Sequence, residues 1–207
     1  MNAYDRASWE ERWSVALRAH GDRLALLPAN DHLTEGAAGL APGRALDAGC
    51  GHGAETRWLA ARGWRVTAVD FAATALAEAR AMADGLGPDV AGRIDWVEAD
   101  LASWAPPPGA YDLVLSLFVH VAASVGEMVR RLAAGVAPGG TLLLAGHLPV
   151  DPSTGEPTRA AGQVQVSVDE ALAALDPDRW EILIAENRPR PAAGTGADAV
   201  IRARRLP

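Results

Sequence analysis

Three carboxylates and two histidines, each following a short apolar run, hold the chemistry this chain could perform. Asp47 ends the run Arg44-Ala45-Leu46-Asp47-Ala48 and opens onto Gly49-Cys50-Gly51-His52-Gly53. Asp70 ends Arg65-Val66-Thr67-Ala68-Val69-Asp70, and Asp100 follows Trp96-Val97-Glu98-Ala99. Closely spaced glycines let a backbone turn sharply and approach a ligand, and a helix starting just after them presents unpaired N–H groups. This is a nucleotide-cofactor loop. Gly49-Cys50-Gly51-His52-Gly53-Ala54 also fits the G-x-G-x-x-G/A spacing of dinucleotide sites, and an acid ending a second strand suits the ribose of a nicotinamide or an adenosyl cofactor alike. Asp100 separates these, because a carboxylate after the third strand suits an adenine amino group. His120 and His147 fall at or just beyond strand ends and are the candidate general bases, imidazole being the side chain that titrates near neutrality.

Such residues work only if strands deliver them to one edge of a sheet. From Arg44 onward, short apolar runs alternate with segments of helical period, the pattern of an α/β fold with a mostly parallel sheet. Strands are predicted near 44–48, 65–69, 93–97, 111–116, 140–146, 180–186 and 198–204, with helices at 54–62, 72–84 and 124–136 and a short one at 168–175. Pro106-Pro107-Pro108 predicts a loop before the fourth strand. The Pro-rich link from Arg188 to Gly194 is too tight for a crossover, so the last strand is predicted to be antiparallel. Residues 1–40 read as one or two amphipathic helices interrupted near His20-Gly21 and Pro28. Within them Trp9 and Trp13, four apart, share a helix face.

With 207 residues, 49% hydrophobic and 22% charged, the chain reads as a single domain spanning 1–207, with 1–40 an appendage or lid and 43–207 the core. A formal charge of −7 gives no electrostatic footprint for nucleic acid or an anionic membrane, which leaves a small molecule as the expected partner. The single cysteine, Cys50, rules out an internal disulfide and a multi-cysteine metal site, and no metal is expected. With Asp5, Glu10 and Glu11 near the start and no apolar run approaching about 18 residues, the expected location is the cytoplasm. Oligomeric state is not legible.

Taken together, these landmarks resemble the class I S-adenosylmethionine-dependent methyltransferases from Gly43 to Arg205. Leu46 to Gly53 matches that family's glycine loop, Val66 to Asp70 its ribose acid, and Glu98-Ala99-Asp100-Leu101 its adenine acid. Tyr111 to Ser116 and Leu132 to Leu143 match later landmarks, and Ala54 to Asp70 is similar to small bacterial tellurite-resistance and thiopurine methyltransferases. The resemblance implies a three-layer Rossmann-like fold with a seven-stranded sheet, and S-adenosyl-L-methionine as cofactor. By position it places Gly49, Cys50, Gly51 and Gly53 along the methionyl part, with Asp47 anchoring the loop. Asp70 and neighbouring Phe71 fall at the ribose, Asp100 and Leu101 at the adenine, and Ser116 and Leu117 near the methyl. Trp9 and Trp13 become candidate lid residues over the acceptor.

The acceptor is restricted mainly by what is missing. Ser116-Leu117-Phe118-Val119 stands where amide and exocyclic-amine methylating relatives carry a D/N-P-P-Y/F box. The chain has no lysine, as the metal-dependent catechol enzymes require, and no acid between Asp112 and Glu127 for a paired-glutamate loop. Methyl transfer to sulfur, selenium, tellurium, oxygen or nitrogen of a small molecule remains. A non-catalytic adenosyl-ligand-binding protein is a second reading. A nicotinamide oxidoreductase is a third, but it lacks a Tyr/Lys pair.

Overall fold

The computed structural model describes residues 5–120, 124–158, 160–190 and 196–207. Tyr4 and most of the link before the last strand, 191–195, lie outside the described residues. The strands are β1 (Arg44–Ala48), β2 (Arg65–Asp70), β3 (Ile94–Glu98), β4 (Tyr111–Leu117), β5 (Val136–His147), β6 (Trp180–Pro189) and β7 (Ala197–Arg205). The helices are α1 (Arg6–Ala25), α2 (Asp31–Gly36), α3 (Ala54–Ala60), α4 (Ala73–Asp84), α5 (Pro88–Ala91), α6 (Val125–Gly135) and α7 (Val168–Ala174). The sheet order is β3-β2-β1-β4-β5-β7-β6. The chain divides into two compact units, Met1–Trp104 and Ala105–Pro207.

In the first unit β1, β2 and β3 are parallel, with Ala48 beside Val69 and Asp70 beside Glu98. Ala45, Leu46, Ala48, Val66, Ala68 and Val69 are almost fully buried, the composition of parallel strands. Helix α4 buries Ala75, Leu76, Ala79 and Ala83 as one stripe. Helix α1 is capped by Asp5, whose side chain accepts from the Ser8 N–H, and it breaks helical geometry at His20, where the sequence predicted an interruption. The four-residue α5, begun by Pro88, is too short to give a periodic signal.

In the second unit β4 and β5 are parallel, while β7 runs antiparallel to both β5 and β6. The last strand is therefore the antiparallel one, as the short link predicted. Strand β5 begins four residues earlier than predicted because Val136 already pairs with Tyr111 ahead of a register shift. Ser124 and Ser167 cap α6 and α7, each accepting from the N–H of the glutamate three residues on, Glu127 and Glu170. Among the described residues no helix is long and apolar enough to cross a membrane.

Candidate functional site

In the first unit the glycine loop leaves β1 through Gly49, Gly51 and Gly53, with φ of 86°, 50° and 76°. The N–H groups of Gly49 and Cys50 donate to the Val69 carbonyl at 2.8 and 3.0 Å, which ties the loop to the end of β2. Asp70 completes the tie. One of its oxygens accepts from the Gly51 N–H and the other from the Ala72 N–H, both at 2.9 Å, so a single carboxylate sets the loop and the turn into α4. Burial pushes Asp70 above the usual carboxylate range, against the opposing pull of those backbone donors.

Asp47, at the end of β1, is buried and accepts the Thr56 hydroxyl at 2.5 Å. Burial, then the Glu55 carboxylate, pushes it up to about 8. Such an acid ionises most readily when a cation is bound beside it, its proton passing to solvent. Burial also pushes the Cys50 thiol well up, so this cysteine is no nucleophile at neutral pH. His52 is pushed down to about 4 by burial and the Arg57 charge, and its ring stays neutral. Asp100 is exposed and accepts from the Ala102 N–H at 2.8 Å in a tight turn, while Leu101 beside it is buried and Phe71 half-buried.

Helix α1 reaches this cradle through Trp13, Glu10 and Arg6. A Cβ on Gly51 would fall 2.8 Å from the Trp13 indole, so the indole occupies the space that a side chain at 51 would need. The Trp13 and His52 rings lie 5.8 Å apart. The Glu10 carboxylate accepts from the N–H groups of Ala73 and Thr74 at 2.5 and 3.2 Å, capping α4, whose own N-cap residue, Ala72, has no side-chain acceptor. Arg6 pairs with Glu98 at the end of β3. Trp9, on the same helix, carries the Arg12 guanidinium 4.9 Å over its ring.

The second unit gathers both candidate bases at the carboxyl ends of β4 and β5. Segment 163–166 lies so close to β5 that a Cβ on Gly146 would fall 2.4 Å from the Val166 carbonyl oxygen. Only glycine permits that approach. It brings the Gln165 side-chain oxygen to the His147 N–H at 2.9 Å. His120 Nε2 lies 2.9 Å from Gln163 Oε1 and 2.9 Å from Gln165 Nε2, donating to the first in one tautomer and accepting from the second in the other. His147 Nδ1 lies 2.8 Å from Asp198 Oδ1, and Arg190 Nε lies 3.2 Å from the same oxygen. Phe118 stacks on the His147 ring, with centroids 4.2 Å apart. Phe118 has a φ of 58°, a conformation that costs a bulky residue about 1–3 kcal/mol and is held by its surroundings. Ser116 is buried, its hydroxyl without a hydrogen-bond partner among the described residues, and Leu117 beside it is half-buried.

Residues 45–140 match the family model described as a methyltransferase domain. This stretch, a little under half of the chain, is similar to a methyltransferase domain. Among curated proteins, the chain is similar to a trans-aconitate 2-methyltransferase of Paracidovorax citrulli, 33% identical over 136 residues covering 64% of this chain and 49% of that protein. It is also similar to a ubiquinone biosynthesis O-methyltransferase of Xanthomonas euvesicatoria, 36% identical over 140 residues covering 67% and 54%. The chain thus spans about half the length of the curated relatives it matches. A solved S-adenosylmethionine-dependent methyltransferase from Mesorhizobium loti shares the fold, with a TM-score of 0.66 at 23% identity over 84% of this chain and 95% of that one.

The resemblance had assigned Asp47, the glycine loop and Asp70 to the cofactor, and the first unit brings these together. It also adds Glu10 and Arg6, to which the sequence reading gave no role at the site. Asp198, Gln163, Gln165 and Arg190 were missed as well. Asp198 alone had a signal, an acid set in the apolar run Ala197-Asp198-Ala199-Val200-Ile201, where a buried charge needs a partner.

Proposed function

We propose that the chain transfers a methyl group from S-adenosyl-L-methionine to an oxygen nucleophile of a small molecule. The observation that carries this is the double clamp of Asp70 on Gly51 and Ala72, which joins the glycine loop and the acid assigned to ribose into one preformed cradle. The residues suit the cofactor. Asp47 is a buried acid that a ligand ammonium would ionise, and Gly49, Gly51 and Gly53 take positive φ that lets the backbone approach a ligand closely. Gly49 to Gly53 and Asp47 would hold the amino-acid part, Asp70 and Phe71 the ribose, and Asp100 and Leu101 the adenine. When bound, this cofactor supplies a methyl on positively charged sulfur, a good leaving group, so alignment of the acceptor supplies much of the acceleration.

Oxygen is favoured over sulfur, selenium and tellurium by the relatives, one named an O-methyltransferase and the other for trans-aconitate. A hydroxyl acceptor must lose a proton, and His147 and His120 are the groups proposed to take it. Helix α1, with Trp13 against the loop and Trp9 one turn away, is proposed to cover the cradle and exclude water.

Native mass spectrometry of the purified chain, followed by calorimetry with S-adenosylhomocysteine and with NAD, tests the reading. An adenosyl compound should copurify or bind, and NAD should not. Preferential NAD binding would overturn the cofactor, and tight adenosyl binding without transfer to any hydroxyl or carboxylate would favour a binding protein.

A further inference from the structure

We infer that Asp198 is the positioning residue that makes His147 a general base, a role that rests on the methyl-transfer reading above. His147 and Asp198 face each other across the antiparallel β5–β7 pair, with Asp198 in register opposite His147. Residues directly opposite on such a pair project to the same side of the sheet, so the contact is written into the strand register. The carboxylate is buried, 4% exposed, and its Oδ1 lies 2.8 Å from His147 Nδ1. A carboxylate can only accept. The hydrogen of the neutral ring therefore sits on Nδ1, and Nε2 is left with a lone pair.

Three further contacts fix the ring. Phe118 stacks on its face, Gln165 accepts from the His147 main-chain N–H, and Arg190 gives the buried carboxylate a countercharge. The His147 side chain is 31% exposed, so it is reachable from outside, whereas His120 is tied by Nε2 to two glutamine side chains. Among the described residues, the charged and titratable groups on this side include Asp198 from β7, Arg188 of β6 opposite it in register, Arg190 following β6, and His120 through Gln165.

In the reaction, the acceptor hydroxyl gives its proton to His147 Nε2. An oxygen electron pair forms the new bond to the methyl carbon, while the carbon–sulfur pair leaves with sulfur. The resulting imidazolium has its positive charge against Asp198, and its proton then passes to solvent. A carboxylate acceptor, already ionised, skips the proton step. Asp198 should therefore matter for hydroxyl acceptors and not for carboxylates.

The test uses the whole chain labelled with ¹⁵N-histidine, before any acceptor is known. The ring-nitrogen spectrum at neutral pH should show His147 protonated at Nδ1, and diethyl pyrocarbonate should modify Nε2 readily, read by mass spectrometry. In Asp198→Asn the tautomer preference should be lost and modification slowed about tenfold or more, with the remaining histidine signals unchanged. A wild-type ring protonated at Nε2 overturns the assignment without any variant, and so does an Asn variant with unaltered tautomer and reactivity. With 3,4-dihydroxybenzoate and trans-aconitate as probes, the variant should lose kcat, not KM, on the hydroxyl compound only. Equal losses on both overturn the positioning role. An Nδ1-protonated ring in a chain that binds no adenosyl ligand and transfers no methyl instead overturns the methyl-transfer reading, and the catalytic role with it.

Discussion

Asp70 and His147 each sit at the end of a parallel strand, yet they are held by different means. Asp70 is gripped by the backbone N–H groups of Gly51 and Ala72, 19 and 2 residues away along the chain. The His147 ring is gripped by side chains, Asp198 at 51 residues and Phe118 from the other strand end. Backbone clamps follow once the loop takes its turn, so the first unit's cradle comes with the fold. Side-chain clamps need particular residues, so the second unit's chemistry can change while the fold stays. This contrast accords with a shared cofactor fold serving many acceptors.

Mutation of the side-chain-held region should produce the largest change. His147→Ala should lower turnover of a hydroxyl acceptor by about 10²–10⁴-fold, the usual loss for a general base, with S-adenosylhomocysteine affinity unchanged. His120→Ala should lose less, because its ring is tied to Gln163 and Gln165. Steady-state kinetics beside calorimetry reads both. Equal losses would erase the difference drawn between the two histidines.

The backbone-held region should respond in binding. Asp70→Ala removes the acceptor for two loop N–H groups together with the proposed ribose contacts. At about 1.5–3 kcal/mol per charged hydrogen bond, S-adenosylhomocysteine affinity should fall about 100-fold or more. Calorimetry on the folded variant measures this, and unchanged affinity would detach the cradle from the cofactor.

Asp47 gives a subtler, pH-dependent readout. Its folded value is raised to about 8, so between the ordinary value of 3.8 and about 8 the folded chain keeps a proton that the unfolded chain loses. Stability from this group is full below that window, declines as pH rises through it, and levels off above. Asp47→Asn should flatten the fall in Tm between pH 5 and 8. If a ligand ammonium ionises Asp47, wild-type binding of S-adenosylhomocysteine at pH 7 should also release up to one proton, and the Asn variant none. Calorimetry in buffers of different ionisation enthalpy counts it.

The same contrast explains what could be read in advance. Strand β1 was placed at its observed ends, and Asp47, the glycine loop and Asp70 were recognisable because each is set by its neighbours in sequence: an apolar run, a turn, a cap. The antiparallel β7 was legible from the shortness of a link. The Asp198–His147 pair was not, because it depends on which residue of β7 falls opposite which residue of β5, a register that the tertiary structure decides. Gln163 and Gln165 were hidden for a similar reason: their segment has no periodicity, and the missing Cβ of Gly146 that admits it shows only when the two strands of chain are side by side.

Helix α1 tests the smallest effect, since its side chains reach the backbone-held cradle. Its grip includes the Trp13 indole on Gly51, the Glu10 carboxylate on the first turn of α4, and Arg6 on Glu98. Losing a cap costs about 1 kcal/mol, which in a chain of this size lowers Tm by about 2–4 °C, and Glu10→Ala should show that much. Glu10→Gln keeps an acceptor and should recover part of it. As a cover for the cradle, α1 should then be more firmly seated when a ligand lies beneath it. Hydrogen exchange over residues 6–18 should slow on adding S-adenosylhomocysteine, and Glu10→Ala should diminish the slowing more than the affinity. Equal exchange with and without ligand, in wild type, would make α1 a packing element of the first unit and leave the cradle complete without it.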